Sequence, residues 1–343
     1  MSVAPDAKSL APLVIDFDDN RLLRALFGAH DRHVAQIEQR LGVSISSRGN
    51  RVAIAGDPWA RQATATVLNG LYSRLRQGME VAEIDVDAAI RMAELGDGAT
   101  ADADEIVIRV RRGALAPRSP NQRRYVREMR DHELVFALGP AGTGKTFLAV
   151  GVAVSMLLEG EVDRIVLSRP AVEAGERLGF LPGDMRDKID PYLRPLYDAL
   201  HLMLPAEQVA KRLDSGDIEI APVAFMRGRT LTNAFVILDE AQNTSPVQMK
   251  MLLTRLGEGS RMAVTGDLTQ VDLPTGTPCG LAEAVRVLEG IEGISVVRLN
   301  EDDVFRHHLV TRIIRAYDAK DAPVDKRSPK GAGPEDKTEP DPG

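Results

Sequence analysis

Leu134-Val-Phe-Ala-Leu138, followed at once by Gly139-Pro-Ala-Gly-Thr-Gly-Lys-Thr146, is the stretch from which the fold of this chain is read. Five apolar residues in a row suit a strand buried on both faces. The octet after them matches G-x-x-x-x-G-K-[ST] and opens an apolar helical stretch that runs to Leu158. Between a strand and a helix, such a loop curls its backbone N–H groups round a triphosphate. Gly139, Pro140, Ala141, Gly142, Thr143 and Gly144 would form the cradle, Lys145 would reach the β and γ oxygens, and the Thr146 hydroxyl would ligate Mg²⁺.

Working outward, four more short apolar runs follow: Arg164–Ser168, Phe235–Leu238, Arg261–Thr265 and Ser295–Leu299. Helical stretches fall between them at 145–158, 246–256 and 279–289; Ser245 and Pro246 make a cap and first turn, and Gly160 and Gly290 make stops. Strands alternating with helices predict an α/β fold, a parallel sheet with helices on both faces.

Strand ends at one edge of such a sheet gather the chemistry. Phe235-Val-Ile-Leu238 ends in Asp239-Glu240; Asp239 is placed to hold the Mg²⁺ shell and Glu240 to orient or deprotonate the attacking water. The plainer reading is that these acids cap the next helix. Thr265-Gly-Asp-Leu-Thr-Gln270 ends the next strand and resembles the third motif of superfamily 1 helicases, in which the glutamine senses the γ-phosphate. That resemblance makes Gln270 a catalytic candidate, with Thr265 and Asp267 bordering the reaction. Gln122 and Tyr125, one helical turn apart before the first core strand, carry two readings: an adenine reader with an aromatic to stack on the base, or the surface of an amphipathic helix.

Upstream, about Leu13 to Met92 reads as a small α/β unit. Helices are expected over Asn20–Phe27, His33–Leu41 and Trp59–Arg76, with strands Val43–Ser46 and Arg51–Ala55 joined by Arg48-Gly-Asn50. Residues 94–120 are polar and turn-rich and read as a linker with one strand at Ile106–Val110, whereas 318–343 hold too little apolar surface to offset ordering and read as a disordered tail. The domain expectation is therefore 13–93, 94–120, 121–317 and 318–343.

Composition narrows the classes further. The chain has 343 residues, 44% hydrophobic, enough for one sizeable core and a smaller module. A lone cysteine, Cys279, excludes an internal disulfide or a cysteine-rich zinc site and suits the cytoplasm. No signal peptide and no membrane-length apolar run is read. Net charge of -7 and 4% aromatic content leave any RNA contact to local basic patches rather than to base stacking.

With these residues in hand, the core resembles the PhoH family of bacterial ATPases. The resemblance rests on the P-loop octet, Arg169-Pro-Ala-Val172, Gly179-Phe-Leu-Pro-Gly183, Pro191-Tyr-Leu-Arg-Pro-Leu-Tyr-Asp198, Phe225-Met-Arg-Gly-Arg-Thr230, Ile237-Leu-Asp-Glu-Ala-Gln-Asn243 and Thr265–Gln270, and it covers roughly 120–317. It implies a RecA-like P-loop NTPase core with ATP and Mg²⁺ as cofactors, preceded by a KH-like α/β domain. Two functions are implied: ATP hydrolysis serving RNA remodelling or rRNA processing, or an ATP-switched partner of an RNA-processing nuclease. RNA and the endoribonuclease YbeY are the implied partners. Helicases of superfamilies 1 and 2 place ATP between two RecA-like domains, the second supplying an arginine that contributes about 10³–10⁵ in rate. One core implies a homo-oligomeric ring, such as a hexamer, with Arg306 as the catalytic finger from a neighbouring copy. Arg227 and Arg229 are read as channel residues, as solvated charges or as contacts of the ATP interface. The loop Gly28-Ala-His-Asp31 lacks the second glycine of the KH clamp G-x-x-G and carries an acid that repels phosphate.

Overall fold

A computed structural model of the chain describes residues 11–94, 108–111, 113–170, 185–305, 310 and 313. Strand β1 (Leu13–Asp16), helices α1 (Asn20–Phe27) and α2 (Arg32–Leu41), strands β2 (Ser44–Arg48) and β3 (Arg51–Ala55), and helices α3 (Pro58–Arg76) and α4 (Glu83–Glu94) build the first module. Its caps explain its boundaries. The Asp19 carboxylate accepts from the Arg21 N–H at 2.7 Å, and Asp57 accepts from the first turn of α3, with Pro58 at its first position. The three strands pair antiparallel in the order β1-β3-β2. One face is covered by the helices, burying Phe17, Ile37, Val52, Ile54, Leu68 and Ile90. Strand β1 and helix α4 were not read from the sequence: β1 is only four residues of half-exposed alternation, and α4 is preceded by Ala82, not a Ser, Thr, Asp or Asn, its first turn being held by the Asp85 carboxylate, which accepts from the Ala82 N–H at 3.0 Å.

Within the stretch read as a linker, β4 (Ile108–Val110) and β5 (Gly113–Leu115) pair as a short hairpin. Ile108 is fully buried in the core of the second part of the chain. The hairpin lies so close to α6 that a Cβ on Gly151 would come within 2.8 Å of Leu115 Cδ1. A larger residue there would push the Leu115 side chain aside.

Next come α5 (Pro120–Asp131), β6 (Leu134–Leu138), α6 (Lys145–Glu159), β7 (Arg164–Arg169), α7 (Met185–Met203), α8 (Ala206–Ser215), β8 (Ile218–Pro222), β9 (Ala234–Leu238), α9 (Pro246–Leu253), β10 (Arg261–Gly266), α10 (Gly280–Leu288) and β11 (Ile294–Arg298). Six strands form one parallel sheet in the order β11-β6-β10-β9-β7-β8. Side chains alternate between its faces, as a period of two requires. Val135, Ala137, Phe235 and Ile237 meet residues of α5, α6, α7 and α8; Leu134, Phe136, Val236 and Leu238 meet those of α9 and α10. This is the mixed α/β architecture expected from strand and helix alternation. Strand β8 escaped the sequence reading because it is a half-buried edge strand ending in Pro222, a residue that an edge tolerates.

Every strand of this sheet runs the same way, so the carboxyl ends of β6, β7, β9 and β10 meet at one edge. Arg306, the segment 171–184 and the tail 318–343 lie outside the described residues. Among the described residues no helix is long and apolar enough to cross a membrane.

Candidate active site

The loop from Gly139 to Gly144 is pinned by its carbonyls. Lys145 Nζ donates to Gly139 O at 2.6 Å and Pro140 O at 2.9 Å, the Phe305 N–H to Gly142 O at 3.3 Å, and Gln122 Nε2 to Thr143 O at 3.0 Å. Gly139, Gly142 and Gly144 sit at φ of 154°, 85° and 78°, which suits residues without a Cβ. At Gly139 a Cβ would strike Leu299 O at 2.5 Å. A cavity of ≈ 260 Å³ opens beside the loop, between Gly144, Lys145 and Thr146 on one side and Asp239, Glu240 and Gln270 on the other. A helix N-terminus with a lysine is an anion site by its dipole and its donors.

Opposite it stand the acids. Asp239 is buried, and one of its oxygens, Oδ1, accepts from both the Thr146 hydroxyl at 2.5 Å and the Thr265 hydroxyl at 2.8 Å. Glu240 follows with φ 52° and ψ 40°, a left-handed backbone that costs a non-glycine residue about 1 kcal/mol or more. That turn ends the strand sharply and lets two adjacent acids share one cavity. Arg169, at the tip of β7, bridges them: its guanidinium lies 3.5 Å from Asp239 and 3.6 Å from Glu240. The buried Gln242 donates to Glu240 at 2.6 Å, while its oxygen accepts from the Asp267 N–H at 3.1 Å. The helix-capping reading of the two acids is not what the structure shows: neither carboxylate caps α9, whose box is made by Ser245 and Gln248.

Beyond β10, Asp267 Oδ2 accepts from Gln270 Nε2 at 2.7 Å, and Oδ1 accepts from the Thr269 hydroxyl at 2.7 Å. Burial pushes the Asp267 carboxyl up. The Thr269 bonds, the Lys145 charge and the Gln270 amide outweigh it and hold the group below its ordinary value of 3.8.

Lys145, Thr146, Asp239, Glu240 and Gln270 thus come together, as do the six loop residues before them. Tyr125 does not. Its ring is fully buried against α6, where no base can stack on it, and burial with the nearby Asp239 charge pushes its phenol well above the usual range. Gln122 is also buried, its amide engaged by the loop and by the Arg118 N–H at 2.7 Å, so the surface-helix reading fails for both residues. Arg229 is half-buried, and both its terminal nitrogens hold Glu219 at 2.6 Å. Arg227 is exposed. Two participants were missed. Arg169 and Gln242 each stood in the sequence only as part of a shared string, although the place of Arg169 at a strand end and of Gln242 two residues after Glu240 were signals.

The donor set suits Mg²⁺. A hydroxyl and a carboxylate oxygen in contact are two hard ligands at one point, and Mg²⁺ takes few protein oxygens beside substrate phosphates and water. Thr146 and Asp239 would hold it.

Comparison with known proteins agrees with this geometry. A family model described as "PhoH-like protein" matches residues 114–318. The PhoH-like protein of Bacillus subtilis (strain 168) is 50% identical over 297 residues, 86% of this chain and 93% of its own length. That of Synechocystis sp. (strain ATCC 27184 / PCC 6803 / Kazusa) is 44% identical, over 86% of this chain and 90% of its own. Among solved structures, the Pif1 helicase from Candida albicans overlaps 58% of this chain and 43% of its own at 16% identity, with a TM-score of 0.33; the fold assignment rests on strand order and not on that overlap. The site is a P-loop nucleotide site of the ATPase type, and the chain that carries it belongs to the PhoH-like protein family.

Proposed function

We propose that this protein hydrolyses ATP with Mg²⁺ and that the turnover serves RNA remodelling or processing. The observation that carries the hydrolysis is the convergence of Thr146, Asp239 and Glu240 on one cavity with Lys145. Lys145 exchanges its loop carbonyls for phosphate oxygens, holding the terminal phosphoryl group against the loop. Glu240, held from two sides by Arg169 and Gln242, orients the attacking water and accepts its proton. Gln270 is positioned by Asp267 at the rim, where a changed phosphate count alters its partners. Thr146 and Asp239 would hold Mg²⁺, which would neutralise charge on the phosphate oxygens.

The RNA assignment rests on the family resemblance of the core, as does YbeY as a partner. One sheet supplies one wall of the usual two-walled ATP site, so in this reading a second copy completes it in a ring, with Arg306 as the finger. The test is phosphate release from Mg·ATP by the wild type and by Lys145→Ala, each with and without single-stranded RNA. Mg²⁺-dependent release, lost in Lys145→Ala and raised by RNA, is expected. Release that RNA leaves unchanged points instead to an ATP-switched partner of a nuclease, and wild-type release no greater than that of Lys145→Ala sinks the hydrolytic reading.

A further inference from the structure

Two cavities meet at the P-loop. Gly142, Gly144 and Phe147 line the ≈ 260 Å³ space with the acids and also a second space of ≈ 570 Å³. Arg74, Met79, Glu80 and Asp85 of the N-terminal module form one wall of the second, and Arg118 and Gln122 lie between that wall and the loop. Its volume falls within the roughly 300–1,000 Å³ of small-molecule sites.

The wall is joined to the loop by an unbroken series of polar contacts. The buried Asp85 carboxylate takes Arg74 from its own module at 3.2 Å and Arg118 from the loop before α5 at 2.9 Å. The Arg118 N–H donates to Gln122 Oε1, and Gln122 Nε2 donates to Thr143 O inside the P-loop. Among the described residues each end of that amide is used once, so Oε1 can accept and Nε2 can donate one bond more. A side-by-side donor and acceptor is the pattern that pairs with the N6 and N7 edge of adenine, whereas guanine shows two acceptors there. The apolar lining includes Phe305, whose N–H is bonded to Gly142 O and whose ring lies under the Arg91 guanidinium at 5.7 Å.

A nucleotide with its phosphates on Lys145 and Thr146 must send its sugar and base past the loop, and the larger cavity adjoins the smaller one at Gly142, Gly144 and Phe147. We propose that this cavity receives the adenine nucleoside, so that the N-terminal module, through Met79, Glu80 and the Arg74–Asp85–Arg118 contacts, is part of the nucleotide site. This rests on the nucleotide reading of the P-loop given above. It assigns Phe305 and Gln122, and not Tyr125, to the base.

Calorimetry on the full chain with Mg·ATP and with inorganic tripolyphosphate separates the two halves of the ligand. In Ala116→Trp, which fills the larger cavity from its half-buried rim, ATP affinity is expected to fall about tenfold or more while tripolyphosphate binding stays within about twofold. Unchanged ATP affinity overturns the proposal. Photolabelling of unmodified protein with an azidoadenine analogue of ATP decides independently of how that variant folds. Label on peptides holding 79–80, 115–118 or 305 supports the assignment, and label confined to other peptides removes it. Should unmodified protein bind neither ATP nor tripolyphosphate, the phosphate site itself fails; should it bind tripolyphosphate while the label lies elsewhere, only the nucleoside assignment does.

Discussion

The Thr146 hydroxyl and the Asp239 carboxylate lie 2.5 Å apart although 93 residues separate them in the chain. One opens α6 and the other leaves β9, and β10 lies between β6 and β9 in the sheet. Thr265 on β10 bonds the same Asp239 oxygen, so two strand ends and the start of α6 are tied at the point where a metal would be held.

Glu240→Gln keeps the shape of the side chain and removes its basicity. Nucleotide binding by calorimetry is expected to stay within about threefold, and steady-state phosphate release to fall by about 10²–10⁴, the usual contribution of a positioned base. Full turnover by this variant would take Glu240 out of the mechanism.

Gln242 touches no candidate ligand position directly and acts through Glu240 and the Asp267 N–H. Gln242→Ala should therefore reduce kcat by about 10- to 100-fold, the cost of a misplaced reacting group, with KM for ATP nearly constant. A rise in KM at constant kcat would mean that Gln242 serves binding and not the positioning of Glu240.

Tyr125→Phe tests the corrected placement of that ring. Its hydroxyl is buried without a hydrogen-bond partner among the described residues, so removal is expected to leave stability unchanged or raise it by up to about 1 kcal/mol. ATP affinity should not move. A drop in affinity would restore Tyr125 to the nucleotide site.

Asp267 links stability to pH. Its folded pKa is held below 3.8, so its stabilisation is fully present above that value and is lost as pH falls through the lower, folded one. Asp267→Asn should melt about 2–4 °C below the wild type near neutral pH, the shift that 1 kcal/mol produces at this domain size. The gap should close in acid below 3.8, as followed by circular dichroism. A gap that is constant across that range would assign the effect to packing.

Much of this was legible in the chain because it is local. The octet 139–146 and the apolar run before it name a strand, a loop and a helix within a short span, and their spacing is a property of backbone geometry. Ser245-Pro246 announced a helix start in the same local way. Strand β8 and helix α4 were not legible, since each has partial burial and relies on neighbours distant in sequence for its packing.

The sequence by itself picked out the candidate site residues that the fold brings together: a glycine-rich loop with its lysine, a threonine, and two acids at a strand end. Tertiary structure alone decided that Arg169 and Gln242 hold Glu240, that Tyr125 belongs to the core, and that the N-terminal module walls a cavity at the P-loop. The physical reason is range: a motif records bonds along a few neighbouring residues, whereas burial and side-chain partnership depend on which strands become neighbours when the sheet closes its order.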